Sequence, residues 1–132
     1  MSEKVNVCKA LGAMFRDHGE PDEVEVTFVA NAALELGLTP EETEQVTAVL
    51  KEGGDFDAFI ADIGSRPLRA FFFRRLVAAI LLDEKVEDDE LAVIHKTADQ
   101  FDFDQGAVDE YLSWMKEGIE WEKRGAEIMN RL

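Results

Sequence analysis

The residues best suited to chemistry in this chain are acids at helix–helix turns. Asp83 and Glu84 follow an apolar helical run, and Glu90 lies early in the next helix. Asp17 and Glu25 repeat that placement near the N-terminus. A helix C-terminus leaves unpaired carbonyls and partial negative charge, so carboxylates there are disfavoured unless they are compensated. Carboxylates with free carbonyls are hard oxygen ligands, which suit Ca²⁺ or Mg²⁺. The expected metal ligands are therefore Asp17, Glu25, Asp83, Glu84 and Glu90. The alternative is a solvated acidic surface, with Asp22, Asp88 and Asp89 favouring helix N-termini. An EF-hand is excluded. With Asp83 at position five, Ala79 and Leu81 fall at one and three, where acids are needed. The run Asp102-Phe103-Asp104-Gln105-Gly106 begins well, but Ser113 stands at position twelve.

Catalytic patterns are poor. His18 and His95 are far apart and lie in no His-Glu-x-x-His arrangement. Cys8 is on an apolar helix face, which suits a core residue better than a nucleophile. Phosphate-loop, dinucleotide and nucleophile-elbow glycine patterns are absent. No enzyme is expected.

Two clusters suit a protein partner. Trp114, Trp121 and Ile128 recur every seven residues on the last helix. A second stripe of Val108, Met115, Ile119, Ala126 and Met129 lies on another face. Two stripes imply two contacts: the core for one, and a partner or second copy for the other, unless the domain covers both. Arg66, Arg69, Arg74 and Arg75 form a segment without acids. Either it recognises an acidic partner, or Arg74 and Arg75 pair with carboxylates of neighbouring helices.

These residues must be positioned by helices, because β patterning is scarce. The periodicity predicts helices over about Glu3–Arg16, Asp22–Leu36, a segment opened by Thr39-Pro40, a short one over about Asp55–Ile63, Ser65–Leu82, Asp88–Phe101, and one after Asp104 reaching Asn130. The fold class is all-α: a single seven-helix, bundle-like domain over 1–132. The fifth helix is apolar on nearly every side and is expected to be central. The pattern also repeats internally, over about 3–52 and 66–131, with the short helix as the link. Val29 matches Ile94, Ala33 matches Ala98, and Leu38 matches Phe103.

The stretch Val77-Ala78-Ala79-Ile80-Leu81-Leu82-Asp83-Glu84-Lys85-Val86-Glu87-Asp88-Asp89-Glu90 resembles the tellurite-resistance TerB-like family. That family's signature is an alanine-rich apolar run, an Asp-Gly-like turn, a hydrophobic residue and a glutamate in the next helix. Asp83 and Glu90 match its acids, as do Asp17 and Glu25 in the first copy. Glu84 and His18 stand where glycine is usual. The resemblance implies a non-catalytic helical module of stress and metal-resistance systems, with acids that bind metal ions.

Charge narrows the partners. The 132 residues include 29 acids and 14 bases, a formal net charge of -15. Nucleic acid needs a basic face and is not an expected partner. The longest apolar neighbourhood, Ala70–Leu82, is interrupted by Arg74 and Arg75 and is too short to span a bilayer. One cysteine permits no intrachain disulfide, and no signal-peptide pattern opens the chain, so a cytoplasmic location is expected. The first functional expectation is a TerB-like module binding Ca²⁺ or Mg²⁺ at its acidic turns. The alternative is an adaptor without metal that binds protein, including a second copy of itself, through Trp114 and Trp121 or through Arg66 and Arg69.

Overall fold

The computed structural model describes residues 3–81 and 86–132. Seven helices account for the regular structure of these residues, with no strand among them: α1 (Glu3–Asp17), α2 (Glu23–Leu36), α3 (Pro40–Glu52), α4 (Phe56–Ala61), α5 (Arg66–Leu81), α6 (Asp88–Gln100) and α7 (Gln105–Asn130). The all-helical expectation holds, and the boundaries lie within two residues of those read in the sequence. No helix of the described residues is long and apolar enough to cross a membrane.

Caps set those boundaries. Asp22 opens α2, and its side chain accepts from the Glu25 amide while Glu25 accepts from the Asp22 amide. Thr39 and Glu42 make the same reciprocal box at the start of α3, with Pro40 at the first helical position. Asp55 caps α4 and Asp104 caps α7. Each cap satisfies amides that a helix start leaves without partners.

The chain divides into two compact units, Met1–Ala79 and Ile80–Leu132. The division falls inside α5, whereas the sequence pattern places the link between the copies at α4. Periodicity records local helical faces; compactness records where packing is dense.

In the first unit α1 packs against α2, α3 and α4. It is enclosed along most of its length, with nine buried residues from Val5 to Phe15. Gly12 faces α3, where a Cβ would make ordinary contact with Leu50 Cγ at 3.4 Å. Burial in α5 covers Phe72, Phe73, Leu76, Val77 and Ala79–Leu81, as its composition predicts. Arg66, Ala70 and Arg74 are exposed. The enclosed role expected of α5 is therefore shared with α1, whose lysines, Lys4 and Lys9, reach outward. Lys9 Nζ lies 5.8 Å from the centroid of the Phe59 ring.

The second unit has a smaller core. α6 packs on α7, with Ile94, Thr97, Ala98 and Phe101 buried from one side and Val108 and Leu112 from the other.

The expected repeat has matching local geometry. At one constant offset, Asp22 and Glu87 are N-caps, and Val29 and Ile94 are buried. Ala33 and Ala98 each accept a hydrogen bond from a residue past the helix end, Leu38 N at 3.1 Å and Phe103 N at 2.9 Å. Between them Gly37 and Asp102 both take the left-handed conformation, at φ 68° and 58°. That region suits glycine and strains a residue with a Cβ. Asp102 also adds a carboxylate where α6 ends on negative partial charge. Opposite effects are expected at these matched positions. Asp102→Gly should stabilise the chain by about 0.5–1 kcal/mol, and Gly37→Ala should destabilise it by about 1 kcal/mol. Chemical denaturation of both variants checks the pair; a destabilising Asp102→Gly would show that strain at this turn is not what limits it.

Candidate functional site

The acidic turns come first. Asp17 is the exposed last residue of α1. Glu25 is held in the α2 capping box, its Oε1 accepting from Asp22 N at 3.0 Å and its own amide donating to Asp22 Oδ1 at 2.8 Å. Glu90 occupies the matching position in α6. Its Oε1 accepts from Glu87 N at 3.1 Å, and its amide donates to Asp89 Oδ1 at 3.0 Å. The glutamates matched between the two copies thus share one physical job, satisfying the first amides of a helix. Asp83 and Glu84 lie outside the described residues. Among the described residues, no group of three His, Cys, Asp or Glu side chains is placed to hold a metal ion.

The arginine segment is built into the first unit. Arg75 forms an ion pair with Glu35 of α2. Its guanidinium also lies 5.1 Å from the Phe71 ring centroid and 5.7 Å from that of Phe28. This agrees with the pairing alternative for Arg75 and suits a planar, weakly hydrated cation. Arg69 Nε donates to the Ile63 carbonyl at 2.6 Å, tying α5 to the end of α4. Arg66 is exposed in the first turn of α5. Just before that turn, Glu3 accepts from the amides of Gly64 and, at 2.9 Å, Ser65. Those two amides, and more weakly the Arg69 charge, hold the Glu3 carboxyl below its ordinary pKa.

His95 is engaged by the start of α7. His95 Nδ1 meets Gln105 Oε1 at 2.7 Å, and Gln105 Nε2 donates to the His95 carbonyl at 3.1 Å. His95 Nε2 faces Asp109 Oδ1 at 3.5 Å. These contacts fasten α6 to the first turns of α7. Cys8 is fully buried, and desolvation pushes its thiol up to about 12 against a weaker opposing pull from Arg75. A thiol held neutral in this way is a poor nucleophile at neutral pH.

The remaining candidate is α7. Asp104 starts it, accepting from Ala107 N at 2.8 Å. Val108 and Leu112 are buried, and Met115 and Ile119 are half-buried. These four continue one stripe, so the inward face is finished by Ile119. Every residue from Glu120 onward is exposed. Of the second stripe read in the sequence, Ala126 and Met129 lie in this exposed part. Leu112, absent from that stripe, is its second buried residue.

The tryptophans face outward. Trp114 is 64% exposed and Trp121 73%, and Ile128 follows at 46%. Tyr111 stacks on Trp114, with ring centroids 5.8 Å apart and planes 28° from parallel. Beyond them, Trp121, Gly125, Ile128 and Met129 border a shallow apolar depression. Sequence reading found Trp114 and Trp121 but missed Tyr111, Gly118 and Gly125 on the same face. The signal was available in their alternating spacing of three and four residues. Comparison of the chain with family models, with curated proteins and with solved structures gives no match.

Proposed function

We propose that this chain is a non-catalytic protein-interaction module acting through the outer face of α7. One observation carries this reading. A 26-residue helix packs inward only through its first four turns and presents Trp114, Trp121 and Ile128 to solvent on its outer face. Large exposed aromatics aligned on one helix face mark protein contact surfaces, where tryptophan dominates binding energy. An amphipathic helix laid along a complementary groove or helix is a common mode. Glu25 and Glu90 are engaged in helix capping, so the geometry favours this surface over Ca²⁺ or Mg²⁺ at the turns. The TerB-like resemblance, an expectation from sequence, is compatible with an interaction role.

The test is direct because both tryptophans of the chain lie on this face. At high dilution, where the chain is monomeric, their emission should be red-shifted and open to acrylamide quenching. An environment-sensitive apolar dye should bind, and Trp114→Glu with Trp121→Glu should abolish that binding without altering the far-ultraviolet circular dichroism. Shielded tryptophans in a proven monomer would overturn the reading.

A further inference from the structure

We propose that the partner of α7 is a second copy of the same helix, paired antiparallel, with each tryptophan seated over a glycine of its mate. This rests on the reading of α7 as an interaction surface and names its occupant.

The seam is regular. Tyr111, Trp114, Gly118, Trp121, Gly125 and Ile128 follow one another at alternating intervals of three and four residues. That spacing defines the contact stripe of a two-helix coiled coil. The two glycines are otherwise unexplained. Gly118 and Gly125 are inside a continuous helix, and neither has a positive φ. A Cβ on either would meet nothing within 4 Å. Each costs the helix about 1 kcal/mol relative to alanine. Packing among the described residues gives no reason for that cost, whereas a close helix approach does.

Orientation follows from size. In a parallel pair like positions face each other, so Trp121 would meet Trp121 and Gly118 would meet Gly118. In an antiparallel pair the two seam positions face each other. One register then sets Trp121 against Gly118, Trp114 against Gly125 and Tyr111 against Ile128, each twice by symmetry. Each tryptophan ring has a notch, as a close-packed interface requires.

Charge selects the same register. The residues beside the seam on one flank are Glu110, Glu117, Arg124 and Arg131. The antiparallel register brings Glu117 to Arg124 of the second copy and Glu110 to its Arg131. Four opposite-charge pairs result, whereas a parallel pair sets Glu117 against Glu122. On the other flank Met115 lies by Glu122, while Val108 is buried within the chain. Flanking charges of this kind contribute little affinity but specify orientation.

The charge distribution permits self-association. A net charge of -15 opposes it in general. Residues 116–131 nonetheless hold four acids and four bases, whereas residues 86–110 hold nine acids and one base. The segment that would meet its own copy is therefore charge-balanced, although the chain as a whole is acidic. Size is also adequate: overlap from Tyr111 to Ile128 gives a contact about 27 Å long. Four tryptophans, each burying roughly 150–250 Å², supply much of the ~1,200 Å² that a small stable interface needs.

Sedimentation equilibrium of the full chain over a wide concentration range tests this, with tryptophan emission read in parallel. Wild type should dimerise reversibly, and its emission should shift to the blue as the dimer forms. Gly118→Leu with Gly125→Leu fills the notches; it should weaken dimerisation at least tenfold while raising the monomer's melting temperature, because leucine is the better helix former. Glu117→Arg should weaken the dimer, and adding Arg124→Glu should restore it. A dimer strengthened by Glu117→Arg would overturn the antiparallel register. A monomer at every concentration with quenchable tryptophans would overturn the second copy as partner and leave the interaction surface standing. A monomer with shielded tryptophans would remove both.

Discussion

Phe72→Ala is expected to destabilise the chain by about 3–5 kcal/mol. Phe72 is the largest fully enclosed side chain, with 0% exposure. Its ring lies 6.0 Å from that of Phe56, centroid to centroid, and so joins α5 to α4. Truncation loses the transfer energy of the ring and leaves a cavity that stiff neighbouring helices fill only in part. The effect is large against a total stability of about 5–15 kcal/mol for an ordinary domain. Urea denaturation followed by circular dichroism measures it. Phe72→Leu should recover more than half of the loss. A cost below about 1 kcal/mol for Phe72→Ala would mean that α5 collapses onto the vacancy, and that the first unit is less firmly packed than its burial implies.

The second large effect concerns alkaline pH. The Cys8 thiol stands at about 12 in the folded chain, against an ordinary value of 9.0. The folded state therefore keeps a proton that the unfolded state releases. Stability contributed by the neutral thiol is complete below pH 9 and is lost as pH rises from 9 toward 12. The slope approaches about 1.4 kcal/mol per pH unit, on the order of 4 kcal/mol over the whole interval. Cys8→Ala removes this dependence. Its own packing loss does not vary with pH, so the difference between the two stability curves isolates the thiol. Denaturation midpoints between pH 8 and 10.5 should converge as pH rises, with Cys8→Ala the less alkali-sensitive chain. Parallel curves would show that water reaches Cys8. The same burial predicts that alkylating reagents modify Cys8 only at the rate of unfolding.

Much of the candidate surface was legible beforehand, and the reasons differ by residue. Trp114 and Trp121 were singled out by their seven-residue spacing, because helical periodicity is a local property. Their exposure was not legible, since either of two stripes on α7 could have been the buried one. Tertiary packing chose Val108 and Leu112, and so left the tryptophans outside. Arg75 was ambiguous in the same way; α2 decides it by placing Glu35 and Phe28 within reach. Glu25 and Glu90 stood out as matched acids. Sequence spacing fits both a ligand pair and a capping residue, and the hydrogen bonds to Asp22 and Glu87 identify the capping role.

The sequence by itself determined the helices and their ends. Asp22 with Glu25, Thr39 with Pro40 and Glu42, Gly37 and Asp104 act on amides and carbonyls within a few residues of themselves, so local chemistry suffices. Only the tertiary structure decided that α1 shares the enclosed position with α5, that the division between compact units falls within α5, and that the aromatic face of α7 is open. Those outcomes depend on which faces are covered by elements far away in the chain. Each apolar stripe gains by burial wherever it finds a partner, and a periodicity carries no record of which stripe finds one first.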